Sequence, residues 1–188
     1  MARLIYAAIA SLDGYVADER GEFGWSAPDA EVHRFVNERE REVGTHLYGR
    51  RMYEVMRVWE DDEILAAEDP SDAAILRQYA DIWRAADKIV YSRSLDRAAT
   101  ARTELRRSFD PEEVRRMKQA GDRDLSVGGA ELAARAIEAG LVDEIQLFLT
   151  PIAIGAGKPA LPLTRKLPLR LIDHRRFGSG AVYLRYET

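Results

Sequence analysis

Short apolar runs alternate with segments of helical periodicity along most of the chain. The first run, residues 4–10, is apolar without interruption, and at this length it predicts a buried central strand. Four later runs predict further strands, and the last of these is interrupted at Pro151. Residues 101–105 are an additional strand candidate. The four runs are residues 45–48, 88–91, 125–127 and 144–154.

Helices are predicted between these strands, and most have a recognisable beginning or end. Pro28 and Asp29 open a helix that continues to about residue 43, and another helix begins at Arg50. From residue 71 onward, apolar side chains recur on one helical face. Asp110 and Pro111 are typical of a helix N-terminus, and that helix ends at Gly121. A last helix follows residue 129 and is closed at Gly140.

The order of these elements predicts an α/β fold. We expect a mixed, mostly parallel central sheet with helices on both faces. Residues 169–177 and 181–186 form a C-terminal antiparallel hairpin around residues 178–180, Gly-Ser-Gly. No repeat or linker divides the chain, so one domain over residues 1–188 is expected. The acidic stretch at residues 60–70 is interpreted as a solvated loop or a short excursion of the chain.

Composition excludes several classes of chemistry. The 188 residues include no cysteine, which removes disulfides, thiolate metal sites and a cysteine nucleophile. The net charge is −4 and there is no basic tract, so no nucleic-acid partner is expected. The N-terminal apolar run is too short to span a membrane, which favours a cytoplasmic location. His33, His46 and His174 lack metal-ligand spacing, so no metal is expected and each is interpreted as a surface or capping residue.

Three predicted strand ends carry groups that suit phosphate. Gly49 is followed by Arg50 and Arg51 at a helix start, where backbone N–H groups and guanidiniums attract anions. A second strand ends at Ser92-Arg93, and a third at Gly128-Gly129, where a phosphate can approach the backbone closely. Ligands of open α/β sheets bind beyond such strand ends, so the three together indicate NADPH. Taken alone, the Arg pair is more typical of a solvated surface, and the Gly pair is most typical of tight packing.

Residues 155–159, Gly-Ala-Gly-Lys-Pro, only superficially resemble a nucleotide-binding loop. The third glycine of a dinucleotide motif is missing, and proline follows the lysine, so neither a Rossmann nor a Walker loop is predicted. We interpret the segment as a flexible turn near the mouth of the pocket.

Five segments resemble the dihydrofolate-reductase-like superfamily, and most closely the reductase domain of bifunctional riboflavin-biosynthesis deaminase-reductases. They occur in the order of that family and span nearly the whole chain. They are ASLDGYVA at 10–17, LYGRRMYE at 47–54, KIVYS at 88–92, GGAEL at 128–132 and PIAIGAG at 151–157.

The resemblance implies a sheet of about eight strands, an NADPH site and a homodimer. Within that site, Ser92 and Arg93 would lie near the adenosine 2′-phosphate, and Ala8 would border the nicotinamide. The other cofactor phosphates would meet Gly49, Arg50, Arg51, Gly128, Gly129, Ala130, Glu131 and Leu132.

On the substrate side, the resemblance assigns Ser11, Asp13 and Gly14 to a loop beside the substrate. Tyr15, Trp25 and the first helix would line the pocket. Folate enzymes carry a carboxylate on this helix; alignment on Phe35 places Glu31 there, whereas alignment on Pro28 places Ala30 there. The catalytic proton would come from Asp13, Glu31 or water.

The predicted function is an NADPH-dependent reductase that transfers hydride to a C=N or C=O carbon. The resemblance implies a pyrimidine- or pterin-like substrate, as in 5-amino-6-(5-phosphoribosylamino)uracil reductases, but in a stand-alone reductase without a deaminase domain. The alternatives are a true dihydrofolate reductase and a non-catalytic NADPH-binding or ligand-sensing protein, because a fold does not determine a function.

Overall fold

The computed structural model describes residues 1–62 and 70–188. In chain order, its strands are β1 (Leu4–Ser11), β2 (Tyr15–Ala17), β3 (Val43–Gly49), β4 (Asp87–Tyr91), β5 (Thr103–Arg106), β6 (Asp124–Gly128), β7 (Glu144–Thr150), β8 (Lys158–Pro159), β9 (Arg170–Arg176) and β10 (Val182–Glu187). The helices are α1 (Ala30–Glu40), α2 (Arg50–Met56), α3 (Pro70–Ala85), α4 (Pro111–Ala120) and α5 (Ala130–Glu138).

Eight of these strands form the central sheet, in the order β5-β4-β3-β6-β1-β7-β10-β9. The first six are parallel to one another, whereas β10 runs antiparallel to both β7 and β9. Strands β2 and β8 pair separately as a small antiparallel sheet. The predicted α/β fold, with its mostly parallel sheet and C-terminal hairpin, is therefore confirmed.

The strands bury side chains on both faces of the sheet because successive residues point to opposite sides. On one face, Leu4 and Tyr6 of β1 pack in a cluster with α4 and α5. On the other face lie two aromatic clusters that involve α1 and α3. One contains Phe35, Phe148, Phe177 and Tyr183, and the other contains Tyr48, Tyr53, Tyr79 and Trp83.

The helix starts agree with their predicted caps. The carboxylate of Asp29 accepts a hydrogen bond from the backbone N–H of Val32 at 2.9 Å, and that of Asp110 accepts from Glu112 at 3.0 Å. Among the described helices, none combines the length and apolar character that crossing a membrane requires.

Three predicted boundaries differ from the structure. Helix α1 stops at Glu40, because Val43 is buried and already pairs with Asp124 as the first residue of β3. Strand β7 stops at Thr150 instead of continuing to residue 154, since Pro151 has no N–H to donate. The predicted strand at 101–105 is β5, displaced toward Arg106. Most of the predicted acidic loop, residues 63–69, lies outside the described residues.

Candidate functional site

A cleft of about 1840 Å³ opens along the carboxyl ends of the parallel strands. The ends of β3, β4 and β6 form its wall, together with the first turns of α2 and α5. Every residue that the resemblance assigns to the dinucleotide lines this one cleft. These residues are Ala8, Gly49, Arg50, Arg51, Ser92, Arg93, Gly128, Gly129, Ala130, Glu131 and Leu132.

The two glycines at the end of β6 serve different purposes. A Cβ atom on Gly128 would lie 2.6 Å from Cε1 of Tyr48, so this glycine allows the Tyr48 ring to pack against the strand. Gly129 has φ +93°, a conformation that favours glycine, and it turns the chain into α5. By contrast, a Cβ atom on Gly49 would meet no protein atom within 4 Å, because it would project into open space.

Arginines concentrate at the end of the cleft beside β4 and β5. Arg107 was not singled out in the sequence, yet it lines the cleft together with Arg93. Its Nη1 donates to the backbone carbonyls of Ser92 and Leu95 at 3.3 and 2.9 Å, which holds it against the end of β4. The sequence feature that could have identified Arg107 as a cleft residue is its position directly after β5. That strand was only a weak candidate in the sequence, so Arg107 was missed. Arg20, Arg135 and Lys158 also line the cleft.

Asp13 organises a loop instead of facing the cleft. Its carboxylate accepts hydrogen bonds from the backbone N–H groups of Ile154 (3.1 Å) and Gly155 (2.7 Å). Hydrogen bonds from the Ser11 side chain and from Gly155 lower the pKa of Asp13, so it is ionised at neutral pH. Ser11 in turn accepts from the Tyr15 N–H at 3.0 Å.

Of the other residues expected beside the substrate, some stabilise the loop and others line the cleft. Gly14 has φ +89° and accepts from the Ala160 N–H at 2.8 Å, which ties the loop to β8. Tyr15 lines the cleft, and so do Gly24 and Ser26 on either side of Trp25. Asp13, Ser11, Gly14 and Trp25 are absent from the described lining.

Glu31 faces the C-terminal hairpin. It forms an ion pair with Arg175 at 3.0 Å and accepts from the backbone N–H of Gly178 at 2.9 Å. The hydrogen bond from Gly178 and the pairing with Arg175 lower the pKa of Glu31. Neither Glu31 nor Ala30 belongs to the described lining of the cleft. Both alignments of the first helix therefore place the position of the expected catalytic carboxylate outside the cleft.

The deep end of the cleft holds a polar group that the sequence prediction missed. It consists of Glu40 at the end of α1, His46 of β3, Ser126 of β6 and Gln146 of β7. The expectation that His33 and His46 are surface or capping residues was wrong: they are 8% and 2% exposed. Helix α1 covers this side of the sheet, so polar residues of the strands beneath it become buried.

Glu40 and His46 have strongly shifted acidities. The Glu40 side chain is 14% exposed, and burial raises the pKa of Glu40 to about 7. Burial, assisted by the positive charges of Lys88 and Arg123, lowers the pKa of His46 to about 3, so its ring is neutral. The ring's Nδ1 lies 3.4 Å from Oγ of Ser126 and 4.0 Å from Oε2 of Glu40. Its Nε2 is buried and has no hydrogen-bond partner within the described parts of the chain.

An aromatic wall stands beside this polar group. The rings of Trp59 and Tyr79 are 4.6 Å apart, and His33 makes edge contacts with them at 5.9 and 5.6 Å. All three side chains line the cleft, so a flat ligand would find apolar faces next to the polar floor.

Comparison with known proteins places the chain in one family. YyaP, an uncharacterized protein of Bacillus subtilis (strain 168), is 28% identical over 192 residues, covering 98% of this chain and 94% of YyaP. A structure from Shewanella sp. PV-4, described as a candidate riboflavin biosynthesis protein, matches with a TM-score of 0.73 and 19% identity, over 100% of this chain and 98% of its own.

A longer relative carries the same fold in one of its parts. The diaminohydroxyphosphoribosylaminopyrimidine deaminase/5-amino-6-(5-phosphoribosylamino)uracil reductase of Thermotoga maritima matches with a TM-score of 0.64 and 15% identity, over 99% of this chain and 56% of that protein. Residues 2–183 match the RibD C-terminal domain, a reductase-type fold, and the chain therefore belongs to the RibD C-terminal domain family.

Proposed function

We propose that this protein is an NADPH-dependent reductase that transfers hydride to a C=N or C=O carbon of a small planar substrate. The observation that carries the proposal is the convergence of three strand ends, far apart in the chain, on one cleft. Gly49, Ser92 and Gly128 mark those ends, and each is followed by residues that suit a phosphate.

The residues present fit a dinucleotide. Helix α5 begins at the cleft, directly after Gly129, so its first N–H groups are available to a phosphate. Open space beside Gly49 leaves room for a second close approach, and Arg50 and Arg51 supply positive charge. Bound there, NADPH would supply the hydride, and the protein's own contribution would be orientation and exclusion of water.

A preference for NADPH over NADH would come from the end of the cleft beside β4. The side chains of Ser92, Arg93 and Arg107 gather there, and Ser108 lines the same region. The Ser92 Oγ accepts from the backbone N–H groups of Ser94 and Leu95 at 3.2 and 3.0 Å, which fixes the turn that carries Arg93. The guanidinium of Arg93 on this ordered turn, with that of Arg107 held against it, suits the extra phosphate of NADPH.

The family supports the reaction class and suggests the substrate. By its name, the Thermotoga maritima relative reduces 5-amino-6-(5-phosphoribosylamino)uracil, and we propose a pyrimidine- or pterin-like substrate here. Glu31 lies away from the cleft, so no observation favours a dihydrofolate reductase. A homodimer in the cytoplasm is part of the same proposal, and sedimentation velocity would test the dimer.

Titration with NADPH and NADH, followed by quenching of tryptophan fluorescence, tests the proposal. Trp59 lines the cleft and would report binding. We expect Arg93→Ala to weaken NADPH binding about tenfold or more and to change NADH binding little, because only NADPH carries the 2′-phosphate.

Arg116→Ala is the matched control, since Arg116 is exposed on α4. Binding of neither dinucleotide by the wild type would refute the proposal. Equal losses for both dinucleotides in Arg93→Ala would refute the assignment of the 2′-phosphate. NADPH binding without reduction of any imine, ketone or pterin would identify a ligand-binding protein instead of an enzyme.

A further inference from the structure

We propose that Glu40 is a catalytic residue at the floor of the cleft, where its carboxyl group donates a proton to the substrate. The inference rests on the proposed reductase function and assigns the proton that hydride transfer requires. Its basis is the position of Glu40, the engagement of the other two candidate carboxylates, Asp13 and Glu31, in hydrogen bonds, and the burial of the Glu40 carboxyl group.

Position is the first argument. Ala8, beside which the nicotinamide is expected, and Glu40 line the same cleft. In the sheet, Ala7 pairs with Gln146 of β7 and His46 pairs with Ser126 of β6, on adjacent rungs of the ladder. Adjacent rungs on one face are about 6.6 Å apart, so a small planar substrate beside Ala7, which shares the face of Gln146, can reach the polar floor.

The second argument concerns hydrogen bonds. The carboxylates of Asp13 and Glu31 each accept bonds from backbone N–H groups, and both have a lowered pKa. The carboxyl group of Glu40 accepts no hydrogen bond from any residue that the structure describes, and its Oε2 lies 4.0 Å from Nδ1 of His46, beyond hydrogen-bonding distance. It is thus available to a ligand, whereas the other two are engaged.

The third argument is electrostatic. The cations near Glu40 already have partners: Arg3 and Arg185 each lie 2.6 Å from Glu144, and Arg39 stacks 4.8 Å from the centre of the Phe35 ring. Burial therefore dominates and raises the pKa of Glu40 to about 7. The charged or titratable groups that face Glu40 from the packed elements are Arg3, Arg39, Glu42, His46, Tyr48, Tyr79, Glu144 and Arg185.

Such an acid suits the proposed reduction. The O–H of Glu40 hydrogen-bonds the nitrogen or oxygen of the C=N or C=O group and gives up its proton as the carbon receives hydride from the dinucleotide. The π bond breaks, new C–H and N–H or O–H bonds form, and Glu40 remains as a carboxylate until cleft water reprotonates it.

Infrared difference spectroscopy of the unliganded protein tests the protonation. Protonated carboxyl groups have a distinct C=O stretch, and we expect one such band to disappear with a midpoint near pH 7. The band should be absent from Glu40→Gln and retained in Glu38→Gln, an exposed glutamate on the same helix. Persistence of the band in Glu40→Gln, or no such band at pH 6 in the wild type, would overturn the inference.

Contact with a ligand is tested with benzamidine. Its flat ring matches the wall of Trp59 and Tyr79, and its N–H groups form a bidentate pair with one carboxylate. Saturating benzamidine at pH 6 should abolish the band, because Glu40 must ionise to pair with the cation. No binding, or binding that leaves the band unchanged, would show that Glu40 does not meet ligands.

NADPH titrations of the same variants separate this inference from the proposed function. We expect Glu40→Gln to bind NADPH within twofold of the wild type, which also shows that the variant is folded. Loss of NADPH binding in the wild type would refute the reductase and the inference together. Intact NADPH binding with an ionised Glu40 at pH 6 would refute the inference alone.

Discussion

Replacing Gly128 by alanine should destabilise the protein through a steric clash with Tyr48. The new Cβ atom would lie 2.6 Å from Cε1 and 2.7 Å from Cδ1 of that ring, and 3.2 Å from Cγ of Met52. Tyr48 is 2% exposed, and its hydroxyl accepts from Nε1 of Trp83 at 3.2 Å, so the ring cannot move without disturbing the α3 side of the core.

The magnitude follows from this packing. Overfilling a tightly packed core costs about 1–3 kcal/mol, and each kcal/mol lowers Tm by about 2–4 °C in a chain of this size. We therefore expect Gly128→Ala to melt about 2–12 °C below the wild type. Binding of NADPH should also weaken, because Tyr48 and Met52 line the cleft and would be displaced toward it.

Gly49→Ala is the matched comparison at a neighbouring strand end. Its Cβ atom would meet no protein atom within 4 Å, and φ is −77°, so no clash or strain arises. The change at the helix cap and the reduced entropy of the unfolded chain oppose each other, each by about 1 kcal/mol or less. We expect an almost unchanged Tm but weaker NADPH binding, since the methyl group projects into the cleft.

Thermal melting followed by circular dichroism, with NADPH titration of each variant, checks the pair. If Gly128→Ala melted with the wild type, or if Gly49→Ala lost as much stability, close packing against Tyr48 would not explain Gly128.

Two further changes test the framework around the cleft. Glu144→Gln should lower the free energy of unfolding by about 3 kcal/mol at pH 7, because Arg3 and Arg185 lose a partner that is 6% exposed. Burial disfavours the charge of Glu144, but Arg185 and Arg3 outweigh burial and lower the pKa of Glu144. The stability that this ion pairing contributes is present above the unfolded-state pKa and is lost as the pH falls through the lower folded-state pKa. The difference in unfolding free energy between variant and wild type, measured by urea unfolding, should therefore narrow in acid, and a constant difference would contradict the assignment. Gly157→Ala should disrupt the pairing of β2 with β8, since its Cβ atom would lie 2.1 Å from the Ala17 carbonyl oxygen and φ is +153°. Faster amide exchange at Ala17, with Gly155→Ala as the open-space comparison, is the measurement, and unchanged exchange would count against the clash.

Local patterns in the sequence were enough to predict the fold and the rim of the cleft. Strand and helix periodicity, the Asp110-Pro111 helix start and the glycines at strand ends depend on residues close together in the chain. Parallel strands place their carboxyl ends at one edge, so Gly49, Ser92 and Gly128 could be expected to meet there. Each signal was local, and the sheet topology brought the three strand ends to one cleft.

The roles of individual carboxylates were decided only by the tertiary structure. Asp13 binds N–H groups at Ile154 and Gly155, and Glu31 binds Gly178 and Arg175, all more than 140 positions away. No local pattern predicts such contacts. Glu40, by contrast, was not a candidate in the sequence, where it is one more charge on a helix of mixed polarity. It becomes a buried acid only because α1 packs over the strands that carry His46 and Gln146. Secondary structure follows from neighbours in the chain, whereas acidity depends on burial and on charges that distant segments bring close.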